Sequence, residues 1–314
     1  MPVLIGTNFP TSAEYSARVR AWSEAEPGPM AAWRAAELDY IELAVKQRAF
    51  NWQVLERDVE TLHANQLGVR LHPYFNPAGF GTSLESSALR SDILRLLQIA
   101  RDIAQHEGRP AVINFHAASG TTATARQDLR TQSHDFYDWL LGVTPTYSSE
   151  IIITTEFQLP PKPGENILRI GDSFEELQVI KAALAHKHFG FCWDMGHATM
   201  RQLFYQANPL PATPFLREVK HVHIHDVDFA SRNDHRLIGT GSAPLKQCVQ
   251  ALVRAGYAGG YTMEYHAEEM IAADYGDKLR RSRAALLVLA GRAGKTQPLQ
   301  APSGLLKAQE EEQG

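Results

Sequence analysis

A chain of 314 residues with 44% hydrophobic and 21% charged residues can bury a large core, and its length suits two ordinary domains or one α/β barrel of about 250 residues. Its net charge of −4 argues against a protein-wide basic field of the kind that attracts nucleic acid, and no apolar run reaches membrane-spanning length. The two cysteines, Cys192 and Cys248, match no disulfide framework or zinc-knuckle spacing, and the N-terminus lacks a basic leader with a long apolar run, so a soluble protein of the reducing cytoplasm is expected.

Val3-Leu4-Ile5-Gly6 reads as a first strand, followed by an Ala/Arg/Glu-rich helical segment from Ser12 to Glu37 that is broken at Pro27-Gly28-Pro29. A second strand, Asp39 to Ala44, precedes a helix from Trp52 to Asn65 closed by Gly68. Val69-Arg70-Leu71 is a third strand ending in His72-Pro73-Tyr74. A Pro/Gly-rich loop runs to Gly81, and its length suits a loop over a site. Leu84 to His106 is a periodic helix with Leu89, Ile93, Leu96, Leu97, Ala100 and Ile103 on one face. Ala111 to Phe115 is the fourth strand, ending in His116, and Gln127 to Leu141 its helix. The β-branched run Ile151 to Thr155 ends in Glu156, and a cap signal at Asp172/Ser173 opens a helix from Phe174 to Leu184. The sixth strand, Phe189 to Trp193, runs into Asp194 with His197 three residues on. Lys220 to Asp226 is the seventh strand, Gly260 to Met263 the eighth, ending in Glu264, and Leu279 to Ala290 the last helix.

Eight strands alternating with helices imply a parallel sheet, and at this length the closed (β/α)8 TIM barrel is the natural solution. One α/β domain is expected over residues 1–292, with a flexible Gln/Pro/Glu-rich tail over 293–314. Only the C-terminal rim of such a barrel gathers side chains from all strands, and here the strand ends carry Glu42, His72, His116, Glu156, Asp194 with His197, His223 and Glu264. A lone His or Glu is more often a hydrogen-bonded core or surface residue. A ring of them is what a metal site needs.

His221, His223 and His225 alternate and therefore share one side of their strand, roughly 6 to 7 Å apart in successive steps, too far for all three to bind one ion. One level meets the metal, and the others pack below it or reach the mouth. The polar loop Asn233-Asp234-His235-Arg236-Leu237-Ile238-Gly239-Thr240-Gly241 follows, with two glycines that serve backbone approach to a ligand or simple turn formation equally well.

The stretches Cys192-Trp193-Asp194-Met195-Gly196-His197-Ala198, His223-Ile224-His225-Asp226, His235-x-x-Ile238-Gly239-x-Gly241 and Met263-Glu264 together resemble the xylose isomerase-like TIM-barrel superfamily, over about Gly6 to Ala290. That group holds metal-dependent sugar isomerases and epimerases as well as abasic-site nucleases of the endonuclease IV type. For the isomerases the resemblance implies one divalent ion (Mn, Zn, Mg or Co) on Glu156, Asp194, His223 and Glu264. Glu156 and Glu264 would also be the acid/base pair, assisted by His197, with His72, His116, His235 and Arg236 touching substrate. For the nucleases it implies further zinc ions on His72, His116, His197 and His235, although Asn233 stands where that pattern has Asp and Asp234 sits one residue late. The stretch from Ile170 to Leu177 also resembles the nucleases, whereas the N-terminal third lacks their DNA-contacting segments and Glu42 is more like the isomerases. The leading expectation is a metal-dependent isomerase or epimerase acting on a small sugar or polyol through an enediolate, with no membrane partner and room for a homo-oligomer. The alternative is a multinuclear zinc phosphodiester hydrolase, the one case in which nucleic acid would be a partner.

Overall fold

The computed structural model describes residues 3–12, 19, 28–46, 51–78, 80, 84–270 and 274–291. Its eight central strands are β1 (Leu4–Pro10), β2 (Tyr40–Lys46), β3 (Gly68–Tyr74), β4 (Ala111–Phe115), β5 (Ile151–Glu156), β6 (Phe189–Asp194), β7 (Val219–Ile224) and β8 (Gly260–Met263). Each pairs in parallel with the next, and β8 pairs back onto β1, so no strand is left with a free edge. The ring is covered by α1 (Pro29–Ala35), α2 (Trp52–Ala64), α3 (Leu84–Glu107), α4 (Arg126–Val143), α5 (Phe174–Leu184), α6 (Met195–Tyr205), α7 (Leu245–Arg254) and α8 (Tyr275–Leu289), one after each strand. The expected TIM barrel is what the chain forms. No helix among the described residues is long and apolar enough to cross a membrane.

Strands enclosed by helices on one side and by the bore on the other are buried on both faces, which is why β6 is buried at every position and β5 at all but Ile152. The helices contribute one apolar stripe each: in α7, Leu245, Cys248, Val249 and Leu252 recur at helical spacing and all are buried. In α3 the six residues expected on one face are likewise buried.

Boundaries differ from the sequence expectation where polar groups intervene. The α2 helix ends at Ala64, and Gln66, at φ 61°, makes the left-handed turn expected of Gly68, which instead begins β3. Strand β7 stops at Ile224 because Asp226 turns the chain into an antiparallel ribbon of Asp226–Asp228 with Asn233–Arg236. A second ribbon joins Ser119–Gly120 to Leu168–Arg169. The helix expected from Ser12 coincides with the structure only at α1, and most of its earlier part, like the tail from 293, lies outside the described residues.

Candidate functional site

Strand alternation turns Tyr40 and Glu42 of β2, Arg70, His72 and Tyr74 of β3, Asn114 of β4, Thr154 and Glu156 of β5, Asp194 of β6, His221 and His223 of β7 and Thr262 of β8 into the bore. Branched aliphatic side chains commonly fill such a bore, but here it is a polar column whose lower members hydrogen-bond one another. At its lower level the Tyr40 hydroxyl meets Thr262 Oγ1 at 3.0 Å, and Thr262 donates to Glu42 Oε2 at 2.8 Å. His221 Nε2 closes on the same oxygen, while His223 Nε2 donates to Glu42 Oε1 at 2.7 Å. Glu42, counted among the strand-end ligands from sequence, therefore has both oxygens engaged and stands beneath the rim as the carboxylate that orients His223.

With Nε2 held by Glu42, His223 turns Nδ1 upward. Three carboxylate oxygens face it: Glu264 Oε2 at 3.1 Å, Glu156 Oε2 at 3.4 Å and Asp194 Oδ2 at 3.8 Å. His223 Nδ1, Asp194 Oδ2 and Glu264 Oε2 are all buried without a hydrogen-bond partner among the described residues. Acidic oxygens gathered around one imidazole nitrogen at this depth are costly unless positive charge, a proton on that nitrogen or a metal ion, lies among them. A histidine whose second nitrogen is held by a carboxylate, facing three acidic oxygens, is a donor set that fits a divalent ion.

On one flank, His72 is buried with Nδ1 donating to the Asn114 carbonyl at 2.8 Å, which leaves Nε2 facing Glu156 Oε2 at 3.2 Å. The Asn114 amide donates 2.7 Å to that oxygen, and His116 Nε2 lies 3.4 Å from Glu156 Oε1. His116 borders an open cleft of about 410 Å3 with Lys46, Tyr74 and Ser119, and the Tyr74 hydroxyl donates 3.4 Å to Glu264 Oε1. On the other flank, α6 begins directly at Asp194, whose Oδ1 caps it by accepting the His197 amide at 2.6 Å. His197 Nδ1 donates to the Phe157 carbonyl at 3.1 Å and lies 3.3 Å from Asp194 Oδ2.

The loop after β7 is held by a single buried carboxylate. Asp226 accepts the amides of Val227 and Ala243 on Oδ1, both at 2.9 Å, and those of Gly239 at 3.0 Å and Gly241 at 2.9 Å on Oδ2. A Cβ at residue 241 would lie 2.5 Å from Asp226 Oδ1, so glycine there is a steric requirement of the loop's anchor, while Gly239, at φ 87°, serves the turn. The loop thereby brings His235, at φ 53°, over the site, with Nδ1 3.1 Å from Asp234 Oδ1 and Nε2 3.6 Å from Glu264 Oε2. Arg236 is not drawn in. It is half-exposed, its nearest acidic partner being Glu269 at 3.9 Å.

Burial alone would raise the Glu156 carboxyl, but His116 and His223 hold it well below the ordinary range, and His223 and His235 do the same for Glu264. Burial opposes protonation of His197 and His235, yet Asp194 and Glu156 push the first up to about 9, and Asp234 and Glu264 the second up to about 10. Carboxylates and imidazoles thus face one another across the rim as opposite-charge partners.

The structure brings Glu156, Asp194, His223, Glu264, His72, His116, His197 and His235 together. Sequence reasoning missed Asn114, Tyr74 and the anchoring role of Asp226. Asn114 shares the inward face of β4 with the position of His116 two residues on, a period-2 signal that could have singled it out.

A family model described as a xylose isomerase-like TIM barrel matches residues 30–287. No curated protein matches the chain. Among solved structures, a D-tagatose 3-epimerase-like protein superposes with a TM-score of 0.64 at 18% identity, covering 92% of this chain and 98% of its own. D-allulose 3-epimerase from Methylomonas sp. gives 0.63 at 18%, covering 93% and 98%, and L-ribulose 3-epimerase 0.62 at 14%, covering 92% and 95%. At these identities the likeness establishes the fold.

Proposed function

The chain belongs to the xylose isomerase-like TIM-barrel family, and from that premise we propose that it is a divalent-metal-dependent isomerase or epimerase of a sugar or polyol. The observation that carries this reading is the convergence of Glu156 Oε2, Asp194 Oδ2 and Glu264 Oε2 on His223 Nδ1. These four residues would hold the ion. When bound, it supplies Lewis-acid polarisation of adjacent substrate oxygens and stabilises enediolate charge.

Glu156 and Glu264 approach from strands three steps apart in the ring and so can address a carbon between them from two sides. One carboxylate would take the proton from the carbon beside the carbonyl, and the other, having first taken a proton from solvent, would deliver it to that carbon from the opposite side. Asn114 and His72 fix Glu156, while Tyr74 and His235 fix Glu264. His197, its Nδ1 held by Phe157, turns Nε2 to a substrate hydroxyl, and the cleft beside His116 takes the rest of the chain of carbons. Ketoses such as those for which the structural relatives are named are the first substrates to try.

The test is solvent-deuterium incorporation. Protein loaded with Mn2+ should introduce deuterium at the carbon beside the carbonyl of one such ketose and interconvert its epimers. Glu156→Gln and Glu264→Gln should each lower that rate by about 10²–10⁴-fold. Failure of exchange across a panel of ketoses, with turnover of a phosphodiester instead, would sink the proposal.

That second outcome has one observation in its favour. His72 Nε2 and His116 Nε2 both converge on Glu156 and form, with it, a second group able to take an ion. A multinuclear zinc hydrolase would use Glu156 as a bridge.

A further inference from the structure

His197, His225 and His235 bring their ring nitrogens close enough together to suggest a further ion site. The hydrogen bonding of His225 decides otherwise. Its Nδ1 has two neighbours, the backbone N–H of His235 at 2.8 Å and the Asp226 carbonyl at 3.3 Å; the shorter contact makes Nδ1 an acceptor, which puts the ring proton on Nε2 and takes that nitrogen's lone pair away from a metal. That Nε2–H lies 3.2 Å from Asp194 Oδ1, in an oblique approach that makes the contact chiefly electrostatic. Oδ1 also takes the His197 amide, which leaves Oδ2 as the oxygen turned to His223.

The ring is held rigidly in this role. It is fully buried and stacked on His235 with centroids 4.1 Å apart and planes 8° from parallel. Its other side lies against Gly196, where an added Cβ would be 1.9 Å from His225 Cε1. His235 adopts its left-handed backbone conformation at the point where its amide reaches His225, a conformation that costs energy in a residue other than glycine.

We propose that His225 is a positioning residue that links the loop carrying His235 to the ligand Asp194, presenting Oδ2 to the ion while binding no ion itself. This rests on the metal-centre reading above. It also explains why three imidazoles can cluster beside a one-ion site.

The two contacts of the ring can be separated by substitution. In His225→Asn the side-chain oxygen occupies the place of Nδ1 and keeps the His235 amide, but nothing reaches Asp194. In His225→Gln the amide nitrogen takes the place of Nε2 and keeps Asp194, but the His235 amide loses its acceptor. Mn2+ binding to metal-stripped protein is measured by titration, and exchange protection of the His235 amide by hydrogen exchange.

His225→Asn is expected to weaken Mn2+ binding by about 10–100-fold with His235 still protected. His225→Gln is expected to bind Mn2+ within about 3-fold of the parent, with His235 exchanging faster. Gly196→Ala, which displaces the ring without altering it, should repeat the His225→Asn loss of affinity and serves where either His225 variant fails to fold.

If the parent holds more than one ion and both His225 variants lose one whole ion, His225 is a ligand and the proposal is overturned. Unchanged Mn2+ affinity in His225→Asn and Gly196→Ala overturns it too, while leaving the metal centre standing. A parent chain that binds neither Mn2+ nor Zn2+ overturns both.

Discussion

His235 shows how much one residue's partners decide about mechanism. Its Nε2 is 3.6 Å from Glu264 and its Nδ1 is turned to Asp234, which burial would raise but which His235 and His266 hold far below the ordinary carboxyl range. On the proposed function, a ring pushed up by its two flanking carboxylates would brace Glu264 and a substrate oxygen. His235→Ala should therefore keep the metal content of the parent and lose about 10²-fold in turnover, as metal analysis alongside steady-state kinetics would show. A clear drop in bound zinc would make His235 a ligand and favour the multinuclear reading. The neighbouring Asn233 and Asp234 carried this ambiguity already in the sequence, because ligand chemistry there depends on the loop's path, and that path is set by four amides converging on Asp226.

At the level of elements, strands and helices were legible because burial on both faces of a strand, or on one stripe of a helix, writes itself into residue order. The runs Gly260–Met263 and Phe174–Leu184 are found as read. Less legible was what stands below the rim. Glu42 was counted with the strand ends, but Leu43, Ala44 and Val45 follow it within β2, and the register of that strand puts it under His223. The junction of α3 with β3 was not legible either. Glu107 closes α3 and is nearly buried. It accepts the Val69 amide at 2.6 Å and pairs with Arg70, Arg109 and His63.

Burial would raise the Glu107 carboxyl, but the His63 hydrogen bond, the Arg70 charge and the Val69 amide bring it from 4.5 to about 2. A folded-state value below the unfolded one stabilises the fold at pH above the unfolded value, and the stabilisation is lost as pH falls from about 4.5 toward about 2. Glu107→Gln should cost about 3 kcal/mol at pH 7, a gap that narrows by about 1 kcal/mol at pH 3.5 in urea unfolding. An equal gap at both pH values would contradict this.

For the molecule as a whole, the closed ring is what allows residues as far apart in sequence as Glu42, Glu156 and Glu264 to share one polar well, sealed below by Tyr40 and Thr262 and open above beside His116. A bore lined with ionisable groups sacrifices the apolar filling that usually stabilises a barrel, and the proposed cation would offset that loss. The most direct measurement is the metal content of the purified chain. One divalent ion per chain, falling toward zero in Asp194→Ala and His223→Ala while both variants keep the circular dichroism of the folded barrel, is the predicted result. Two or three ions per chain, or full metal content in either variant, would contradict the one-ion centre.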